Sequence, residues 1–331
     1  MTNVGSSRVF TTLLMVALTG ALVQMYRTFL VVPQFQVFAL RVVSLFLEAL
    51  PFLLAGAVVA AIAREILPSE KIVAFCRRHR ALGLPAIALA GFVLPMEEFR
   101  LPGLARRLRA EGLPVPHLVA ALLAIPLLNP VVVASTAIAF PAYPDLVILR
   151  FLGGMIVAVM AGAILTAWTP PEKAIDHTAG NPKSPITPSE SAAGPDIRGR
   201  LDRVVQRGLA GFLTLARYFV VAAVVVGLAQ SIELPAYLAP LRSAVIPGTL
   251  VAVGLAYLLS VPAVSDAFIA RGLLAAFPAP ALTGFLIAGP MLNLRNVPMY
   301  GRLISTGRLI LLHLVVLALA IATALTAALI R

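Results

Sequence analysis

Apolar residues run in long blocks along this chain. Six stretches, 9–31, 41–63, 117–140, 146–168, 209–232 and 304–330, are each predominantly apolar and more than twenty residues long. A hydrocarbon core roughly 30 Å thick takes about 20 residues per helical crossing. Lipid offers backbone groups no partner, so each stretch is predicted as a transmembrane helix. The first reads as a retained helix behind Arg8, since no small-residue cleavage site follows it. Two further stretches, 82–112 and 244–277, start apolar and then break. The first breaks at Pro95-Met96-Glu97-Glu98-Phe99-Arg100-Leu101-Pro102-Gly103, the second at Ser260-Val261-Pro262-Ala263-Val264-Ser265-Asp266. Each is either one broken span or a hairpin returning to its own side.

Between the blocks, residues 169–200 hold six prolines with Gly, Ser and Thr. Such a composition cannot form a core and predicts a flexible linker. The expected organisation is an N-terminal helix (1–35), a first membrane repeat (36–168), a linker (169–207) and a second repeat (208–331). The repeat shows in the residues. Pro114-Val115-Pro116 recurs as Pro278-Ala279-Pro280, and Pro126-Leu127-Leu128-Asn129 as Pro290-Met291-Leu292-Asn293, both 164 residues on. Arg106 and Arg271 precede them at similar distances, and three matches in order indicate a duplicated unit.

Charge orients the halves. Five Lys/Arg lie in 64–81 and six in 169–207, and such loops stay cytoplasmic. Both can do so only if 82–112 is a re-entrant hairpin. The same reasoning makes 244–277 a hairpin from the other side, giving inverted repeats, a plan many secondary transporters share. A plain bundle of eight or nine spans is the alternative.

Composition agrees with the pattern. Of 331 residues, 60% are hydrophobic and 12% charged, with mean hydropathy +0.97. These values exclude a soluble enzyme, a fibrous chain and a disordered one. The net charge of +12 sits in loops and at helix ends, as membrane topology requires, and does not point to nucleic acid. One cysteine, Cys76, rules out an internal disulfide framework or cysteine cage. It lies in the basic loop beside Arg77, Arg78 and Arg80, as an incidental residue or as a thiol of lowered pKa. No phosphate-binding Gly-rich loop, His-Glu-x-x-His or Gly-x-Ser-x-Gly is present, so no enzyme and no cofactor are expected.

Intramembrane ionisable groups cost roughly 2.5–3.5 kcal/mol each on insertion scales and normally have a partner or a task. Glu97 and Glu98 at the first break are either a cation or proton site or the partners of Arg100, Arg106 and Arg107. Any metal they take with Asp266 is a hard one, since carboxylates suit such ions. Ser265 and Asp266 fit a helix N-cap, which is also an ion-binding feature when placed in the membrane. Asn129 and Asn293 follow disturbed apolar runs where carbonyls are freed, with Asn296 and Arg295 close to the second. The expected helix breaks are Pro95, Pro102, Pro126, Pro130, Pro262 and Pro290. A Glu48–Arg217 pair is a speculative contact at matching depth. Arg150 and His313 are expected to snorkel from helix ends.

Several of these segments resemble the YraQ-type (UPF0718-like) predicted permease family, which includes organoarsenical efflux permeases. They are Glu48-Ala49-Leu50-Pro51-Phe52-Leu53-Leu54-Ala55-Gly56, Pro126–Pro130, Ser265–Arg271 and Gly289–Asn296. The resemblance covers roughly 40–330. It implies a multi-pass permease of the plasma (inner) membrane with its site at the breaks. Family members commonly carry Cys-Ser-Cys-Gly at the first break and Cys-Ser-Glu-x-Asp at the second. Here every motif cysteine is replaced, so the thiolate chemistry they would imply does not transfer.

The expectation is therefore an all-α polytopic membrane protein acting as a secondary transporter of an ion or small solute, with a homodimer possible. The alternative is a non-transporting membrane subunit, for instance a partner of a metal-handling assembly. Accessibility labelling is expected to place 64–81 and 169–207 on the same, cytoplasmic face; opposite faces would remove the hairpins.

Overall fold

A computed structural model of the protein describes Gly20 and residues 33–66, 69–93, 101–168, 197–231 and 239–330. The predicted helix 9–31, the first break up to Arg100 and linker residues 169–196 lie outside the described residues, apart from Gly20. Among the described residues there are thirteen α-helices and no strand. The first half contains α1 (Pro33–Ile66), α2 (Ser69–Arg78), α3 (Arg80–Val93), α4 (Leu101–Ala110), α5 (Val115–Ala124), α6 (Pro130–Ala139) and α7 (Pro144–Trp168). The second contains α8 (Ile197–Ser231), α9 (Val245–Leu259), α10 (Asp266–Gly272), α11 (Ala279–Met291), α12 (Val297–Gly301) and α13 (Thr306–Ile330). Helix α8 begins at Ile197, inside the stretch read as linker.

Helix starts recur at the spacing of the sequence matches. Pro33 and Ile197 open α1 and α8 164 residues apart, and Val115 and Ala279 open α5 and α11 at the same spacing. Pro114 and Pro278 occupy the N-cap positions of α5 and α11 with nearly identical backbones, ψ 143° and 144°. Proline is preset for a helix start and contributes no N–H that would be left over there.

Packing follows the same scheme. Helices α3, α5 and α7 pack together in one half, and α9, α11 and α13 do so in the other. Between halves, α1 packs on α8, α7 on α13 and α5 on α11. Helices α1 and α8 run antiparallel. A Cβ at Gly227 would lie 2.8 Å from Val42, Phe46 and Phe219 stand 6.4 Å apart by ring centroid, and Gly208 faces Val58.

Four helices carry a stretch long and apolar enough to cross a bilayer: Phe35–Ile62, Pro144–Trp168, Leu201–Leu228 and Thr306–Ile330. Their outer faces expose Leu40, Val43, Leu209, Leu213, Ile310 and Leu314, as lipid contact requires. Helices α5 and α11 are almost wholly buried, with His117 and Thr283 their only polar side chains, so they form the centre of the bundle.

The single crossing expected over 117–140 is instead two ten-residue helices, α5 and α6. Each is about 15 Å long, half a hydrocarbon core. Pro126 and Pro130 prevent one continuous ladder, and Asn129 accepts from the Val131 N–H at 2.9 Å to start α6 anew. The basic loop 64–81 also contains more structure than expected: α2 occupies most of it and α3 begins at Arg80.

Close backbone packing makes one glycine indispensable. A Cβ at Gly91 in α3 would lie 2.9 Å from the Ile125 Cα and 3.1 Å from the Ala124 carbonyl oxygen. Backbone cannot yield as a side-chain tip does. Gly91→Ala is expected to destabilise by about 1–3 kcal/mol. Gly254→Ala, with nothing within 4 Å, should be neutral or slightly stabilising. Thermal unfolding in detergent compares the two.

Candidate site at the second helix break

Helix α9 ends at Ser260, which adopts the left-handed conformation, φ 48° and ψ 44°, without being glycine. The chain then crosses Val261–Ser265 before α10 begins. Breaking a helix inside an apolar bundle frees carbonyls that must find donors. Two arginines supply them. Arg295, in the turn after α11, donates through Nη1 to the Ser260 carbonyl at 3.0 Å, and the Leu294 N–H donates to the Tyr257 carbonyl at 3.1 Å. Arg150, on α7 of the other half, donates through Nη2 to the Ala263 carbonyl at 3.3 Å.

The same Arg150 Nη2 lies 2.7 Å from Asp266 Oδ2, and both side chains are only 2% exposed. Its Nη1 donates to Thr136 Oγ1 on α6, also at 2.7 Å. Thr136 in turn donates to the Val132 carbonyl at 2.7 Å, which fixes the hydroxyl's free lone pair toward the guanidinium. The expectation that Arg150 snorkels is thus corrected. It sits six residues inside α7 and is turned inward by a buried carboxylate that belongs to the other half. His313 also departs from snorkelling: it is half-buried, its Nδ1 lies 2.7 Å from the Leu309 carbonyl and its ring meets Tyr257 edge-on.

Helix α10 is held at both ends. Asp266 at its first position meets Arg150, and Arg271 in its last turn meets Glu48 of α1 at 3.0 Å. Acid at the start and base at the end both suit the helix dipole. Between them Phe268 stacks against Phe52 of α1 at 5.3 Å, and a Cβ at Gly56 would touch Val264 at 3.0 Å. The proposed Glu48–Arg217 contact is therefore replaced by Glu48–Arg271. Arg217 lies instead over the Tyr218 ring at 4.8 Å, and Arg295 lies 5.2 Å from the same ring.

The other candidates turn to local backbone. Ser265 occupies the N-cap position of α10 but makes no capping bond; its hydroxyl donates to the Pro262 carbonyl at 3.1 Å. Asn293 and Asn296 form a reciprocal box, each side-chain oxygen accepting the other's backbone N–H at 2.9 and 3.0 Å. Asn293 Nδ2 donates to Gly289 and Asn296 Nδ2 to Met291, filling the carbonyls freed as α11 ends. Pro290 is the penultimate residue of α11, Pro130 opens α6, and Pro102 stands in the first turn of α4, where it starts a helix rather than breaking one. Glu97, Glu98, Arg100 and Pro95 lie outside the described residues.

Cys76 is on α2, fully buried, with its thiol directed at the Gly83 carbonyl at 3.5 Å. Burial pushes the thiol up to about 11, the reverse of the lowering that neighbouring arginines suggested. Arg77 and Arg78 close the helix on its exposed side while Cys76 faces the core.

An all-α, polytopic membrane protein with a charged pair buried where a helix breaks is what these observations define. The chain matches the ArsP_1 family model, described as a predicted permease, over residues 34–329, and it belongs to that family. It is 28% identical over 263 residues to the UPF0718 protein YcgR of Bacillus subtilis, covering 78% of this chain and 85% of that one. It is 27% identical over 256 residues to a Streptococcus mutans protein named as a two-component membrane permease complex subunit, covering 77% and 83%. No solved structure matches the chain.

Two outcomes test this geometry. Asp266→Asn or Arg150→Leu alone leaves one charge buried and should cost about 3–5 kcal/mol of stability, whereas the double variant should recover much of it. Cys76 should resist maleimide at pH 8 in the folded protein and react on unfolding, since its thiol stays protonated there.

Proposed function

We propose that the protein is a secondary transporter of an ion or small solute, with its central site between the two helix breaks. The observation that carries this is the buried Arg150–Asp266 pair, which joins α7 of one half to the broken helix of the other. A pair spanning two halves changes its separation whenever the halves move, so it can report and resist that motion. The antiparallel packing of α1 on α8 supports inverted repeats, whose relative rocking exposes a midplane site alternately. Arg150 Nε has no partner among the described residues and is a donor free for an incoming oxygen. In this reading the site draws on Glu97, Glu98 and Arg100 of the first break and on Ser265 and Asp266 of the second.

The name of the streptococcal relative favours a second reading, in which the chain works as one subunit of a permease complex. Reconstitution separates the two. Proteoliposomes holding this chain alone, offered a panel of labelled ions and small solutes, should take up at least one of them. Glu97→Gln or Glu98→Gln should reduce that uptake at least tenfold in at least one case while the protein stays folded. Silence of the chain alone, with uptake restored by a co-purifying membrane subunit, would establish the second reading instead. Folded variants at both positions with normal uptake would remove the site.

A further inference from the structure

The Glu48–Arg271 pair lies in an unexpected place. Glu48 is the fourteenth residue of the 28-residue apolar stretch Phe35–Ile62, so it stands at mid-depth of a helix long enough to cross the bilayer. Yet Glu48 is 40% exposed and Arg271 48% exposed. Hydrocarbon does not solvate such a pair. A second polar group sits at the same level. Pro51 has no N–H to give the Leu47 carbonyl four residues back, so that oxygen lacks its helical donor. Together the two features ask for water at the middle of α1.

The helix surface is divided accordingly. Ser44, Glu48, Pro51 and Ala55 are all exposed and fall within about 60° of one another at 3.6 residues per turn. Val43, Leu47, Leu54 and Val58 are exposed as well, and their arc is centred about 80° away. The second arc is a lipid surface. The first consists of small or polar residues and borders α10, because Phe52 and Gly56 on its far side touch Phe268 and Val264.

The geometry points to a water-filled path between α1 and α10, lined by Ser44, Glu48, Pro51, Ala55 and Arg271, that leads from one bilayer surface toward the buried Arg150–Asp266 pair. It rests on the permease reading for its purpose, and it admits small hydrophilic solutes rather than lipophilic ones. Arg271 and Asp266 are five residues apart on one short helix, so a solute at the outer ion pair is one helix length from the inner one.

Single cysteines test the path in intact chain reconstituted in lipid, probed with a membrane-impermeant, charged methanethiosulfonate from both sides. The unsubstituted chain is the blank, Cys76 being buried. Ser44→Cys and Ala55→Cys should react at least tenfold faster than Val43→Cys and Leu54→Cys. Equal, slow reaction at all four positions would overturn the path and leave lipid on both arcs. Oxidative cross-linking of two chains through Ser44→Cys would overturn it in favour of a second copy covering that face. Solute uptake, measured on the same vesicles, keeps the two proposals apart. Uptake with an unreactive stripe defeats the path alone, and a reactive stripe without uptake of any solute defeats the permease reading alone.

Discussion

A guanidinium and a carboxylate, each almost fully withdrawn from solvent, hold this bundle's two halves in register. Taking either charge out of water costs several kcal/mol, and only its partner and the surrounding hydrogen bonds offset that cost. Arg150 cannot be satisfied by α7 alone, nor Asp266 by α10. Their meeting therefore fixes where α6, α7 and the second break lie relative to one another. The Ala263 carbonyl and the Thr136 hydroxyl complete the shell around the guanidinium, so the same contact also stabilises the irregular backbone beside it.

Proline and asparagine shape the remainder. Each half contains a central helix with proline at its N-cap, a turn ending in asparagine and a further short helix beyond. Duplicated elements have nonetheless acquired different local solutions. Asn129 caps α6 through its own side chain, whereas Asn293 and Asn296 satisfy each other in a reciprocal box and α12 starts without a side-chain cap. The carbonyls exposed at the second break and at the end of α11 are filled from nearby side chains, as a low-dielectric surrounding demands.

Much of this was legible in the residues. Apolar block length located the four long helices, because a bilayer sets a minimum length. The 164-residue spacing matches that between helix starts, and the polar segment at Ser260–Asp266 located a break. Three features were not legible. The interruption of 117–140 was hidden because its apolar character is continuous and only Pro126 and Pro130 interrupt it. Arg150 looked like an interfacial arginine because hydropathy records its depth and not the carboxylate 116 residues away. The inward direction of Cys76 depends on the helical phase of α2, whereas its neighbours in sequence are basic. Pairings between distant residues are properties of the assembled bundle, and one sequence without relatives aligned to it holds no direct trace of them.

Helix α10 has only seven residues. Two turns are far below the length at which a helix persists by its own hydrogen bonds, because the first turn fixes several dihedrals for a single bond. Its order is therefore conditional on the clamps at its ends and on Phe268 against Phe52. If the halves separate enough to release Asp266, the segment loses its reason to stay coiled and can melt and re-form as a unit. A nucleation barrier that would handicap an isolated peptide here makes the transition abrupt, so the segment behaves as a two-state element.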